Sequence, residues 1–227
     1  MTLYPIMLNM NGQQAVIIGG GDVAVRKLSD LIDAGANIRI ISPEFHDEII
    51  KLSELFKNRL TLIKRGYEKN DLDGAALVFS ATNDTDVNRK IFNEAKEKNI
   101  LINAVDDPPN CSFYIPSFIR KGDLIFSVST GGASPAMAAR LRREMEKHIP
   151  ENIETILERL NKARTLLKED KLFSNIDSSQ RGEILKEITY SDQLLASLIS
   201  CKDEEDEENK ENQEMIDFLL HVQDSLF

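Results

Sequence analysis

Residues 14–24 restrict the possible folds more than any other stretch of this chain. Gln14-Ala15-Val16-Ile17-Ile18 is a short, unbroken apolar run of the kind that forms a strand buried on both faces, and Gly19-Gly20-Gly21-Asp22-Val23-Ala24 follows it directly. From Val23 onward Ala24, Leu28, Leu31 and Ile32 recur at helical spacing until Gly35 stops the run. A glycine turn between a strand and a helix fits the pattern G-x-G-x-x-A. Gly19 permits the tight turn, Gly21 lets a pyrophosphate approach the backbone, and Ala24 is small enough for the helix to pack on the strand. The first N–H groups of the helix then face the phosphates. The competing reading is a glycine-rich turn needed for packing alone. The strand before it, the helix after it and a second strand ending about 20 residues on favour a bound dinucleotide.

The alternation continues through the first half of the chain. A second strand over 37–41 ends at Ser42-Pro43, a helix spans 45–57, and strands follow at 60–64 and 75–80. A helix over 85–98 and a strand over 100–105 close the series at Asp106-Asp107-Pro108-Pro109. This order predicts a doubly wound parallel α/β sheet of the nucleotide-binding, Rossmann-like kind. After residue 112 the pattern changes. Phe113-Tyr114-Ile115 and residues 124–129 read as strands about a Lys121-Gly122-Asp123 turn, a small antiparallel addition. Ser134 as N-cap and Pro135 as first helical residue start a helix over 135–147. Residues 151–199 read as helical throughout, with Ile153, Ile156, Leu157 and Leu160 at helical spacing.

Ligands of open α/β sheets bind at the carboxyl ends of the strands, so the loops there are the candidate site. After the second strand, Glu44, or Ser42 with the local backbone, meets a ribose hydroxyl; alternatively Glu44 is a solvated acid at a helix start. No Arg lies just beyond that strand to receive a 2′-phosphate, which favours NAD over NADP. After the fourth strand, Thr82 and Asn83 are candidates for the nicotinamide side, and Asn83 and Asp84 also read as helix caps. After the fifth, a carboxylate from Asp106 or Asp107 orients a substrate or moves a proton. Adjacent residues on an extended segment point to opposite faces, so one of the two faces the cleft; the alternative is a turn-forming Asp-Pro pair. Ser129, Thr130 and Gly131 lead into the helix at Pro135 as a second anion site. Arg140, Arg143 and Lys147 share one face of that helix, suited to carboxylates or else solvated and paired with Glu144 and Glu146.

Charge and composition exclude several classes. Residues 201–227 hold ten acids and two lysines, a charge of −8, which leaves −2 for residues 1–200 out of the net −10. A near-neutral body with an acidic tail lacks the basic footprint that a nucleic acid requires. No apolar run approaches the roughly 18 residues that span a bilayer, and residues 1–12 do not resemble a secretory signal. Cys111 and Cys201 form no disulfide framework, which points to a reduced, cytoplasmic setting. His46, His148 and His221 show no metal-ligand spacing, so no metal site is expected and each reads as a surface or capping residue. Cys111 reads as a small buried apolar residue rather than a nucleophile. The tail is expected to be a solvated linker over 203–214 before a weakly ordered amphipathic end containing Phe218, Leu219 and Leu220.

Six segments together resemble the siroheme synthase family: Tyr4-Pro5-Ile6-Met7-Leu8-Asn9; residues 16–24 with Arg26-Lys27; Ala81-Thr82-Asn83-Asp84; Asn103-Ala104-Val105-Asp106-Asp107-Pro108; Ser112-Phe113 with Ile115-Pro116-Ser117; and Ser129-Thr130-Gly131-Gly132 with Ser134-Pro135. The resemblance covers about residues 1–165. It implies NAD-dependent oxidation of precorrin-2 to sirohydrochlorin, with Asp106 as the catalytic aspartate. It places nucleotide contacts at Asp22-Val23 and Pro43-Glu44, and maps the family's serine-rich stretch onto Ser129-Thr130, with Thr130 where some members carry Ser. It also implies a homodimer built on residues near 113–147, and C-terminal helices that enclose the tetrapyrrole. Arg120, Arg140 and Arg143 then become contacts for its carboxylates. Some members also insert Fe²⁺ into sirohydrochlorin, which the residues leave open. The methyltransferase half of the longer fusions has no room in 227 residues.

The expected division is a NAD-binding domain over 1–112, a small α+β dimerisation segment over 113–149, a helical domain over 150–200 and an acidic tail over 201–227. A non-catalytic NAD- or tetrapyrrole-binding sensor on the same fold is the alternative to the enzyme.

Overall fold

The computed structural model describes residues 3–105, 107–201 and 212–227. The chain divides into two units, Met1–Ile115 and Pro116–Phe227. In the first, the apolar runs become five parallel strands: β1 (Gln14–Ile18), β2 (Asn37–Ile41), β3 (Leu60–Ile63), β4 (Leu77–Ser80) and β5 (Leu101–Ala104). Their order in the sheet is β3-β2-β1-β4-β5, the expected doubly wound arrangement with its reversal between β1 and β4. Ala15, Val16, Ile17 and Ile18 of β1 and all four residues of β4 are buried, as central strands covered on both faces must be.

Helix α1 (Asp22–Asp33) buries Ala24, Leu28 and Leu31, one stripe at i, i+4 and i+7, against Ala15, Ile17, Phe79 and the inner residues of β2. Helix α2 (Asp47–Leu55) adds Ile49 to the same core. Helix α3 (Thr85–Glu97) packs Ile91 and Ala95 into a second cluster with Val16, Ile18, Val78 and Ile102. The crossover from β3 to β4, residues 64–76, has no helix. It is held by charge instead. Glu94 of α3, 4% exposed, accepts the Tyr67 hydroxyl, the backbone N–H groups of Asn70 and Leu72, and the Lys98 ammonium. Arg65 forks onto Asp71 at 2.7 and 2.6 Å. Every oxygen of these two acids thus has a donor, which is what lets a carboxylate sit in a low-dielectric interior.

The antiparallel addition begins later than expected. Residues 113–115 form no strand, because 112–113 are bound to the edge of β5. Ser112 N–H bonds Ile102 O, Ile102 N–H bonds Ser112 Oγ, and Asn103 Nδ2 bonds Phe113 O. Phe113 then packs edge-on against Phe79, ring centroids 5.7 Å apart. The hairpin of the second unit is β6 (Ser117–Lys121) and β7 (Leu124–Val128), followed by α4 (Pro135–Glu146).

The long helical stretch is broken into α5 (Ile153–Glu169), α6 (Ser178–Tyr190) and α7 (Asp192–Ser200). Asp177 and Gln180 close a reciprocal capping box at the start of α6, and Ser191 caps α7. The C-terminal end also differs from expectation. Residues 213–226 are not a loosely held end but helix α8 (Gln213–Leu226), which buries Met215, Ile216, Leu219 and Val222 among Ala163, Leu167, Ile184, Ile188 and Leu198. Its apolar positions recur at i, i+1, i+4 and i+7, enough for a full core-facing stripe.

Burial by itself would raise the pKa of Glu94, but the contacts to Lys98, Tyr67, Asn70 and Leu72 outweigh it and hold the carboxyl below the usual range. A depressed folded pKa gives stability that is complete above the unfolded value, about pH 4.3, and is lost as pH falls through the folded value. Glu94→Ala is therefore expected to cost about 3 kcal/mol at neutral pH and to flatten the acid limb of the stability curve. Chemical denaturation between neutral and acid pH measures both.

Candidate functional site

The carboxyl ends of the strands are laced one residue beyond the sheet. Gly19 N–H bonds Ile41 O, Ala81 N–H bonds Ile18 O, Val105 N–H bonds Ser80 O, and Ser42 N–H bonds Ile63 O. The loops after β1, β2, β4 and β5 therefore leave the sheet side by side, and Gly19, Gly21, Asp22, Val23, Ser42, Pro43, Glu44, Thr82 and Asn83 lie along this one edge.

The three glycines do different work. A Cβ on Gly19 would fall 2.2 Å from Ala81 O, and Gly19 has φ +118°. A Cβ on Gly20 would fall 2.1 Å from Glu44 O and 2.9 Å from Ser42 Oγ. Gly20 O in turn accepts the His46 N–H at 2.8 Å. So Gly19 seats the turn against the loop after β4, and Gly20 seats it against the loop after β2. A Cβ on Gly21 would meet nothing within 4 Å. Gly21 is the N-cap of α1, and no side chain caps this helix, whereas His46, Asp84 and Ser134 cap α2, α3 and α4. Open space in front of an uncapped helix N-terminus suits an anion bound by backbone N–H groups. Both NAD and NADP present a pyrophosphate of that kind.

Around this turn Ser42 is 7% exposed, while Pro43 and Glu44 are exposed. Thr82 Oγ1 accepts the Asp84 N–H at 3.0 Å, and Thr82 O accepts Asn88 Nδ2. Asp84, not Asn83, is the cap of α3, accepting the N–H groups of Asp86 and Val87. Asn83 is left exposed at the rim. Ser80, 1% exposed, donates to Asn88 Oδ1 at 2.7 Å and fixes the start of this loop.

Asp106 lies outside the described residues. The loop on both sides of it is tightly held. Asp107 N–H bonds Ala104 O, and the Asp107 carboxylate accepts Asn110 Nδ2 at 2.6 Å, so this second acid is committed to its own loop. Cys111 Sγ receives Ala104 N–H at 3.2 Å and donates to Ala104 O at 3.1 Å, and Tyr114 Oη donates to Pro108 O. Burial pushes the Cys111 thiol up, which keeps it protonated as a latch on the end of β5.

The second unit carries the other candidates. Ser129 Oγ accepts the Gly131 N–H, and Thr130 Oγ1 both accepts from Ser134 N–H and donates to Ser134 O. With Ser134 Oγ capping α4 at Met137 N–H, this loop satisfies itself, unlike the turn at Gly21. Arg120 is exposed on β6 beside buried Ile119, and Arg140 and Arg143 are exposed on α4. Lys147 is paired with Glu144 and Arg142 with Glu146, so part of that face follows the solvated reading. Sequence reasoning assigned no role to Gly20 or to Cys111 as a latch, while His46, read as a surface or capping residue, does cap α2. The third consecutive glycine was the available signal for the first.

Known proteins share these two parts. Residues 6–117 match the family profile described as "Putative NAD(P)-binding", and residues 126–148 match "Sirohaem biosynthesis protein central". The siroheme synthase of Methylobacillus flagellatus is 39% identical over 150 residues, 66% of this chain and 32% of that one. That of Acinetobacter baylyi is 36% identical over 169 residues, 74% of this chain and 36% of that one. That of Ectopseudomonas mendocina is 33% identical over 205 residues, 90% of this chain and 42% of that one. The chain thus spans between about a third and two-fifths of the length of these relatives. A solved structure titled "SirC, precorrin-2 dehydrogenase" superposes with a TM-score of 0.73 at 25% identity, covering 98% of this chain and 100% of that one.

Gly20→Ala must push apart two backbone segments and is expected to cost about 3 kcal/mol. Gly21→Ala, at φ −91° and with open space ahead, should keep the wild-type melting temperature but weaken dinucleotide binding. Thermal denaturation and titration calorimetry separate the two effects.

Proposed function

The chain belongs to the siroheme synthase family, and from that premise we propose that it is an NAD-dependent precorrin-2 dehydrogenase that makes sirohydrochlorin in the cytoplasm. The observation that carries this reading is the uncapped, open N-terminus of α1 at Gly21, set where the loops after β1, β2, β4 and β5 converge. NAD bound there supplies the hydride acceptor. The N–H groups at the start of α1 hold the pyrophosphate, Glu44 and the Ser42-Pro43 backbone receive the adenosine ribose, and Thr82 and Asn83 flank the nicotinamide. The oxidation removes two electrons and two protons from precorrin-2; bound NAD would take the electrons and one proton as a hydride, which leaves one proton for a base of this chain. Asp106 is that base. Next to it in the chain, Cys111 is tied to Ala104 and Asp107 to Asn110. Arg120, Arg140 and Arg143, with the hydroxyl proton of Ser129, receive the carboxylates of the tetrapyrrole. The Gly131 N–H and the Thr130 hydroxyl, expected to join them, are spent inside their own loop. The helices of residues 150–200 help enclose the substrate.

The protein acts as a homodimer. Met137, Leu141 and Met145 lie at i, i+4 and i+8 on α4 and are 44%, 44% and 43% exposed, and Ile125 of β7 is 40% exposed. A two-stranded hairpin is marginal by itself, and an apolar helix stripe beside it supports coverage by a second copy. Among the described residues no helix is long and apolar enough to cross a membrane.

Asp106→Asn is expected to lower kcat by about 10²–10⁴-fold while leaving NAD affinity unchanged, followed by NADH absorbance with precorrin-2 as substrate. Normal turnover in that variant would remove Asp106 from the mechanism. Leu141→Asp is expected to shift the sedimenting species from dimer to monomer. Incubation of sirohydrochlorin with Fe²⁺ in the absence of NAD tests for the chelatase activity.

A further inference from the structure

His46 stands at the nucleotide edge and has no part in the proposed reaction. Its surroundings are specific. It is the N-cap of α2, and its Nδ1 accepts the Glu48 N–H at 3.1 Å. An Nδ1 that accepts leaves the ring proton on Nε2. Nε2 lies 3.6 Å from Asp22 Oδ1, outside direct hydrogen-bond range but within ion-pair distance of the carboxylate. The backbone of the same residue donates to Gly20 O, so the ring is anchored to the glycine turn as well as to α2.

Asp22 is the first residue of α1, and its side chain is 92% exposed. A carboxylate there is attracted by the helix N-terminus, and it is also in competition with any pyrophosphate that binds the same N–H groups. Two negative groups at one helix end repel each other, so the position of Asp22 matters for the cofactor.

Resting on the dinucleotide reading of this edge, we infer that His46 is a positioning residue: its Nε2–H draws the Asp22 carboxylate toward the loop after β2 and off the pyrophosphate path. The anchor at Glu48 N–H fixes the direction of that N–H. The carboxylate then sits on the side of Ser42 and Glu44, where it accepts from ribose hydroxyls instead of opposing phosphate.

Asparagine at this position separates the two functions of the ring. In His46→Asn the side-chain oxygen still accepts the Glu48 N–H, since Asn is a strong N-cap, but nothing reaches Asp22. Titration calorimetry with NAD is carried out on the full chain and on His46→Asn, Asp22→Asn and the double variant. The expected result is an unchanged melting temperature and roughly two- to fivefold weaker NAD binding for His46→Asn, with no such loss when the same change is made in Asp22→Asn. Equal affinity of His46→Asn and the unaltered chain would overturn the inference, as would the same loss in both backgrounds. Failure of the unaltered chain to bind NAD would overturn the dinucleotide reading itself, and the inference with it.

Discussion

Backbone contact at Gly20 is the constraint on which the site depends. Where most residues carry a Cβ, this position has the carbonyl oxygen of Glu44 at 2.1 Å from the Cβ position. The loops after β1 and β2 can therefore touch backbone to backbone. Gly19 repeats the arrangement on the other side, against Ala81. Two such contacts, together with the ladder bonds from Gly19, Ala81, Val105 and Ser42, lock four loops into one edge. Preorganisation of that sort removes most of the ordering cost that a ligand would otherwise meet.

Within this locked edge, satisfied and unsatisfied backbone are distributed unevenly. Asp84 closes the start of α3, and His46 closes α2. The start of α1 receives no side chain. Free N–H groups at a helix end call for water or an anion. Here they sit behind open space at Gly21, so the hydrogen bonds left unmade inside the protein are the ones available to a cofactor. The loop at 105–111 shows the opposite arrangement. Cys111 and Asn110 spend their polar atoms on Ala104 and Asp107, within the loop itself.

The parallel sheet was legible because its signals are local and redundant. β1 and β4 are continuous apolar runs, and each is bounded by small or capping residues. The glycine turn, the caps at Asp84 and Ser134, and Pro135 at the first turn of α4 follow the same local chemistry. The start of the hairpin was not legible, because Phe113-Tyr114-Ile115 has strand composition but is held by long-range bonds to Ile102 and Asn103. The break before α6 had a readable signal, Asp177-Ser178-Ser179-Gln180, that a purely apolar periodicity overlooks. At the site, no spacing rule connects Gly20 with Glu44 or His46 with Asp22, since those pairings depend on how two loops meet at the sheet edge.

The acidic C-terminal segment shows how an average over charge can hide a fold. Residues 201–227 carry −8, and that balance suggested a solvated tail. The acids at 203–208 dominate it. Beyond them Met215, Ile216, Leu219 and Val222 form an apolar stripe, and Glu214 and Asp217 stand on the exposed side of the same helix. Burying that stripe against Leu167, Ile184 and Leu198 adds four side chains to the core of the second unit. At about 1.5–3 kcal/mol for each large side chain, this burial is a large gain for a single helix. The helix therefore docks despite the charge that precedes it in the sequence, and residues 1–200, at −2, carry little of the net −10.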